Sequence, residues 1–301
     1  MFRPEGVYVA MLTPFDEQGR INEPVLRRMV DFQIEKGVHG LFPVSSVGEF
    51  IHLNQDQRMQ LAEIVVDQAR GRVPVTPGVS NSCAENSVIL ARHAQDIGCA
   101  GVVVSPPYYF PASQEIIEKH YEVIADSVDL PIILYNIPLF SSPISYDVVK
   151  RLSRRENIVA MKDSSGSMVD LMHFLDKVRL IDSDLNVLVG REEVLFPALM
   201  VGCKGCMVAT AGIVPEVMVD IYRSWQNGNY QRAQKLQFDV LQLIRACFAL
   251  PLPVGFKVAM ELRGFLMGPL KQPLSNADQY YYLGVKARIE KLLHLLLDDL
   301  S

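Results

Sequence analysis

PIILYNIP (131–138) and NIVAMKDSS (157–165) decide the fold. Each is a short apolar run without strict alternation, so both of its faces should be buried, as in a parallel sheet covered by helices. Working outward, the same sequence of β-branched run, turn and amphipathic stretch recurs along most of the chain. The other strand candidates are VYVAMLTPF (7–15), HGLFPVSS (39–46), VPVTPGVS (73–80), AGVVVSPP (100–107), NVLVGRE (186–192) and KGCMVATA (204–211). Between them lie helical patterns such as EPVLRRMVDFQIEKG (23–37), QDQRMQLAEIVVDQARG (55–71) and AENSVILARHAQDIG (84–98), each closing near a glycine suited to a left-handed cap. Eight βα units in roughly 220 residues predict a closed (βα)8 TIM barrel rather than an open doubly wound sheet. No GxGxxG follows the first candidate, which argues against a dinucleotide fold.

Beyond residue 211 only helical periodicity remains, in VPEVMVDIYRSWQNG (214–228), NYQRAQKLQFDVLQLIRACFAL (229–250), PVGFKVAMELRGFLMG (253–268) and VKARIEKLLHLLLDD (285–299). One of these completes the barrel. The expected division is a barrel over 1–228 and a C-terminal helical appendage over 229–301 packed on it.

With 301 residues, 49% hydrophobic, the chain can bury a substantial core. A net charge of −5 gives no basic footprint for nucleic acid or an anionic membrane, so a small-molecule partner is expected. The N-terminal MFRPEGVYVAMLTPF lacks the basic region and unbroken apolar stretch of a signal peptide, and the longest apolar runs are too short to span a bilayer. A cytoplasmic location is the expectation. Five cysteines, Cys83, Cys99, Cys203, Cys206 and Cys247, are an odd number in a chain large enough to need no staples, so reduced thiols are expected and the lone CxxC at 203–206 reads as structural. The six histidines show no ligand spacing at strand ends, so no metal is expected.

Active sites of such barrels lie at the C-terminal ends of the strands. Lys162 follows the apolar run Ile158–Met161 and should point into a dry barrel mouth. Desolvation favours a neutral amine, and a neutral amine attacks a ketone to form an imine. Asp163 should face the other way, since neighbours in a strand alternate. Tyr135, about one strand away, is placed to shuttle the protons that imine chemistry requires. Ser46 could relay them, and the turn SSVGE (45–49), with Ser45 and Val47 around it, could offer amide donors to a keto-acid carboxylate. No GxSxG surrounds either serine, so a serine hydrolase is not supported.

Together SSVGE (45–49), SPPYY (105–109), YNIP (135–138) and MKDSSG (161–166) resemble the dihydrodipicolinate synthase / N-acetylneuraminate lyase family of pyruvate-dependent class I aldolases. The resemblance runs from about Val7 to the 253–274 segment. It implies that Lys162 forms the imine with pyruvate or a related 2-keto acid, that Tyr135 is the general acid/base, and that Ser46 joins the proton relay. It also implies that Tyr109 reaches a neighbouring subunit's site, within a homotetramer built of two dimers, and that no cofactor is needed.

Three departures bear on the substrate. Val47 stands where the family commonly has a second threonine. Phe140 stands where dihydrodipicolinate synthases place an arginine for the aldehyde's carboxylate, and a buried carboxylate without a cation is disfavoured. GREE (190–193) resembles the acidic pair of the N-acetylneuraminate lyase branch, with Arg191 able to meet an acidic tail and Glu192 a sugar hydroxyl. With Met207 from the last strand candidate these residues form the expected substrate-binding set. The wording of LFPVSS and PPYY further resembles 2-keto-3-deoxygluconate-type aldolases. The expected function is a Schiff-base lyase acting on pyruvate or a 2-keto-3-deoxy sugar acid. The alternatives are dihydrodipicolinate synthase, a keto-acid dehydratase or deaminase using the same imine, and an inactive barrel serving as a binding protein.

Overall fold

The computed structural model describes residues 2–181 and 183–298; residues 299–301 of the expected appendage lie outside them. Among the described residues seven parallel strands form one sheet: β1 (Gly6–Ala10), β2 (Gly40–Phe42), β3 (Val102–Val104), β4 (Ile132–Asn136), β5 (Ile158–Asp163), β6 (Asn186–Val189) and β7 (Gly205–Val208). Their order is β2-β1-β7-β6-β5-β4-β3. Between the two edges, β2 and β3, runs the segment 73–80, expected as a strand in its own right. It makes only single bridges, Leu41 to Val75 and Gly78 to Val103. Backbone bonds from Leu41 to Pro74, from Thr76 to Leu41 and from Val103 to Pro77 nonetheless close the ring as a TIM barrel. Pro74 and Pro77 account for the missing ladder, because neither carries an N–H to donate.

Helices alternate with the strands and start on side-chain caps. Asn22, Asn54, Ser113, Ser145 and Ser167 each accept an amide of the first turn, and Asn54 forms a reciprocal capping box with Gln57. Each such cap contributes on the order of 1 kcal/mol. The expected glycines Gly37, Gly71 and Gly98 all take positive φ just past their helices. After Pro215–Gln226 come the helices Tyr230–Cys247, Val254–Leu262 and Asn276–Asp298. The last begins well before the expected residue 285. Gly264, Gly268, Pro269 and Pro273 lie in the helix-free stretch between it and the preceding helix.

Two apolar clusters hold the molecule together. The larger lies between the strands and the surrounding helices and extends through Ile289, Leu293 and Leu296 of the last helix. The smaller fills the barrel itself with Tyr8, Phe42, Val103, Ile133, Val159, Leu188 and Met207, capped toward the mouth by Tyr135 and Ile137. No helix among the described residues is long and apolar enough to cross a membrane.

Candidate active site

β4 and β5 pair in a register that sets Tyr135 beside Lys162 and Asn136 beside Asp163. Because strand side chains alternate, the first pair faces into the barrel and the second faces out. Lys162 Nζ lies 4.0 Å from the centre of the Tyr135 ring and 4.9 Å from that of Phe42. Asp163 instead receives Asn136 Nδ2 at 2.7 Å and the Ser165 hydroxyl at 2.7 Å. Its burial pushes the carboxyl above the usual range, against the pull of those donors. Lys162 and Asp163 therefore do not pair. A methyl group at Gly190 would come within 2.5 Å of Lys162 Cε and 1.9 Å of Ser164 Oγ, so glycine there leaves the lysine its room.

The SSVGE turn faces this pair from the end of β2. Val44, a β-branched residue, takes φ 57° and Glu49 takes φ 60°, a conformation that costs free energy and is retained where the surroundings fix it. Thr13 Oγ1 donates to the Gly48 carbonyl at 2.7 Å. Ser46 Oγ is 3.5 Å from Tyr135 Oη. Ser45 is not among the residues that line the chambers; its hydroxyl donates to the Met11 carbonyl at 2.9 Å while accepting from the Gly48 amide at 3.1 Å. It holds the turn. The amides of Ser46 and Val47 find no acceptor among the described residues and remain available to an anion.

Two connected chambers open above the strands. The inner one, about 70 Å³, is lined by Ser46, Val47, Tyr135, Lys162, Ser164 and Met207, with Phe140, Arg191 and Glu192 at its rim and floor. The outer one, about 520 Å³, shares Ser46, Tyr135, Ile137, Phe140 and Leu252 with it and adds Tyr108 and Tyr109. Tyr109 is 88% exposed with φ 82° and packs edge-on against Phe110.

The GREE segment lines the inner chamber through Gly190, Arg191 and Glu192. Glu192 is buried, and its Oε1 accepts from the Ala209 amide at 3.0 Å and from the Thr210 amide and hydroxyl at 3.2 Å each. Burial pushes its carboxyl up. Arg191 donates to Glu193 at 2.8 Å and lies 4.8 Å from the centre of the Phe248 ring. Both side chains line the inner chamber while part of their polar capacity is taken up within the protein. Sequence reasoning missed Ser164, whose Oγ is buried with no partner beside Lys162, and missed Phe248 and Leu252, which the C-terminal helical region brings to the site. The position of Ser164, two residues past Lys162 on the same strand face, was the signal available for it.

The dihydrodipicolinate synthetase family profile matches residues 3–292. Among curated relatives, the 4-hydroxy-tetrahydrodipicolinate synthase of Methanopyrus kandleri is 35% identical over 281 residues, covering 92% of this chain and 93% of that protein. The protein of the same name from Trichlorobacter lovleyi is 35% identical over 96% of this chain and 97% of its own. Among solved structures, YagE, a prophage protein of the dihydrodipicolinic acid synthase family from E. coli K12 in complex with pyruvate, superposes with a TM-score of 0.90 at 30% identity, covering 97% and 98% of the two chains. A dihydrodipicolinate synthase crystal structure gives 0.89 at 30% identity over 97% and 99%. The expectation carried by the four short motifs thus holds along nearly the whole length: the chain belongs to the dihydrodipicolinate synthetase family and is an enzyme of class I lyase chemistry.

Proposed function

We propose that this enzyme captures pyruvate, or a 2-keto-3-deoxy acid that yields it, as an imine on Lys162 and makes or breaks a carbon–carbon bond through the resulting enamine. The observation that carries this reading is a buried amine, without an ion-pair partner among the described residues, set 4.0 Å from the Tyr135 ring at a small chamber. In that role the neutral amine adds to the keto carbon, and Tyr135 delivers the proton with which the hydroxyl leaves as water. Loss of a proton from the neighbouring carbon then gives the enamine. Ser46 extends the proton path from Tyr135 Oη. The free amides of Ser46 and Val47 receive the carboxylate, which compensates for the hydroxyl that Val47 lacks. The chemistry needs no cofactor.

A second reading, 4-hydroxy-tetrahydrodipicolinate synthase activity, is favoured by the names of the relatives. Against it stands Phe140, which offers no cation to a second carboxylate. A homotetramer of two dimers is proposed as the assembly, with Tyr109 and Phe110, 88% and 77% exposed, as the residues that meet the second copy. The cytoplasm is the proposed location.

The test is borohydride reduction in the presence of pyruvate followed by peptide mass mapping of the native chain and of Lys162→Ala. A reduced pyruvate adduct on Lys162, absent from the variant, is the expected result. No adduct with pyruvate or with 2-keto-3-deoxygluconate would mean that the barrel is not a Schiff-base enzyme.

A further inference from the structure

The walls of the outer chamber are made chiefly of rings and aliphatic carbon: Phe50, Ile51, Tyr108, Phe140, Leu252 and Pro253. Phe50 and Tyr108 meet edge to face with centroids 5.9 Å apart. The polar side chains between them are largely engaged within the protein. Ser80 Oγ accepts from the Ser105 amide at 2.9 Å, Ser105 Oγ donates to the Pro106 carbonyl at 3.0 Å, and Ser141 Oγ donates to the Ile137 carbonyl at 3.3 Å. The Glu49 carboxylate is shared between Lys257 and His52. His52 Nε2 remains, buried and without a partner, and the Gln272 amide and the Tyr108 and Tyr109 hydroxyls lie toward the edge of the chamber. Lysine and arginine are equally scarce: those lining the two chambers are Lys162 and Arg191, and Arg191 is bound to Glu193.

A polyhydroxylated chain entering this space would surrender its water for few hydrogen bonds, and each hydroxyl left unpaired would weaken binding. A second carboxylate would fare worse, having in the outer chamber no lysine or arginine to meet and in the inner one an Arg191 already bridged to Glu193. An aromatic ring carries neither cost and gains edge-to-face contacts with the wall. From this we infer that the electrophile attacked by the pyruvate enamine is an aromatic aldehyde, its ring in the outer chamber and its carbonyl carbon turned toward Lys162. This rests on the Schiff-base reading above and specifies its second substrate. A chamber of about 520 Å³ is within the size range of small-molecule sites. In the bond-forming direction the enamine carbon gives its electron pair to the aldehyde carbon, and the aldehyde oxygen takes a proton from Tyr135. Water then hydrolyses the imine, which frees the amine and releases a 4-aryl-4-hydroxy-2-keto acid.

The experiment combines borohydride trapping with turnover of pyruvate against benzaldehyde, D-glyceraldehyde and succinic semialdehyde. Benzaldehyde is expected to exceed both others in kcat/KM by about 100-fold or more. Phe140→Arg is expected to shift the ratio toward succinic semialdehyde by about tenfold. If Lys162 traps pyruvate but glyceraldehyde or succinic semialdehyde matches benzaldehyde, or no aldehyde is consumed, the inference is overturned while the Schiff-base reading stands. An unchanged ratio in Phe140→Arg also overturns it, by removing Phe140 from the wall that selects the electrophile. Absence of the pyruvate adduct overturns the Schiff-base reading itself.

Discussion

Lys162 and Lys257 are both almost fully buried, at 3% and 2% exposure, yet their surroundings are opposite. Lys162 ends an apolar strand, faces two aromatic rings and a chamber, and forms no ion pair among the described residues. Lys257 sits on the helix Val254–Leu262 beneath the Phe15 ring and is ion-paired with Glu49. Burial pulls its ammonium below the usual lysine range, and the Glu49 charge resists that pull. The difference lies in the counter-charge. A buried amine held by a carboxylate is a clamp, whereas one left without it beside open space is free to react. The clamp is not remote from the chemistry, since Glu49 closes the SSVGE turn.

Breaking the clamp is the sharpest way to test that contrast. Lys257→Met leaves the buried Glu49 carboxylate without its lysine and is expected to cost about 3–5 kcal/mol in a guanidinium unfolding titration. Adding Glu49→Gln, which removes the stranded charge, should recover most of that loss. Equal stabilities for the single and double variants would show that the two residues are not coupled.

His120 extends the comparison to a buried base with neither a carboxylate clamp nor a chamber. It is 6% exposed on the helix Gln114–Ala125, and its Nε2 has no partner. Burial pulls the imidazole from 6.5 down to about 4, with the Glu85 charge pushing weakly the other way. Between those two values the unfolded chain binds a proton that the folded chain refuses. Stability is therefore lost as the pH falls through this window, by on the order of 3 kcal/mol. Unfolding midpoints measured at pH 7 and near pH 4.5 should fall less in His120→Leu than in the native chain. Parallel losses in both proteins would mean that the histidine is protonated in the fold.

The fold was legible because hydrophobic runs and glycine caps are local signals, and they placed seven of the eight staves. The eighth, 73–80, carries the right apolar pattern, but Pro74 and Pro77 withhold the donors that a regular ladder needs. In the site, Lys162 and Tyr135 were legible because strand-end position and alternation fix the direction of a side chain. The burial of Glu192 was not legible, because its partners, the amides of Ala209 and Thr210, lie in the next unit of the barrel. The walls formed by Phe248 and Leu252, and the Lys257–Glu49 clamp, depend on contacts between residues far apart in the chain, which no periodicity reports.

The smallest expected effect concerns two adjacent serines that the sequence could not tell apart. Ser45 spends its hydroxyl on the Met11 carbonyl and the Gly48 amide, whereas Ser46 turns to Tyr135 Oη at 3.5 Å. Ser46→Ala removes a long, partly buried contact to the proton-transferring hydroxyl, and a loss of about 1 kcal/mol in the transition state should lower turnover of the pyruvate enamine roughly fivefold with the unfolding midpoint nearly unchanged. Steady-state kinetics beside a denaturation curve reads both quantities, and Ser45→Ala supplies the reference in which stability falls. A Ser46→Ala variant that lost stability but kept its turnover would make the contact with Tyr135 a matter of packing. Proton transfer would then have to pass from the Tyr135 hydroxyl directly to groups within the chamber, and the orphan hydroxyl of Ser164 beside Lys162 would be the next residue to substitute.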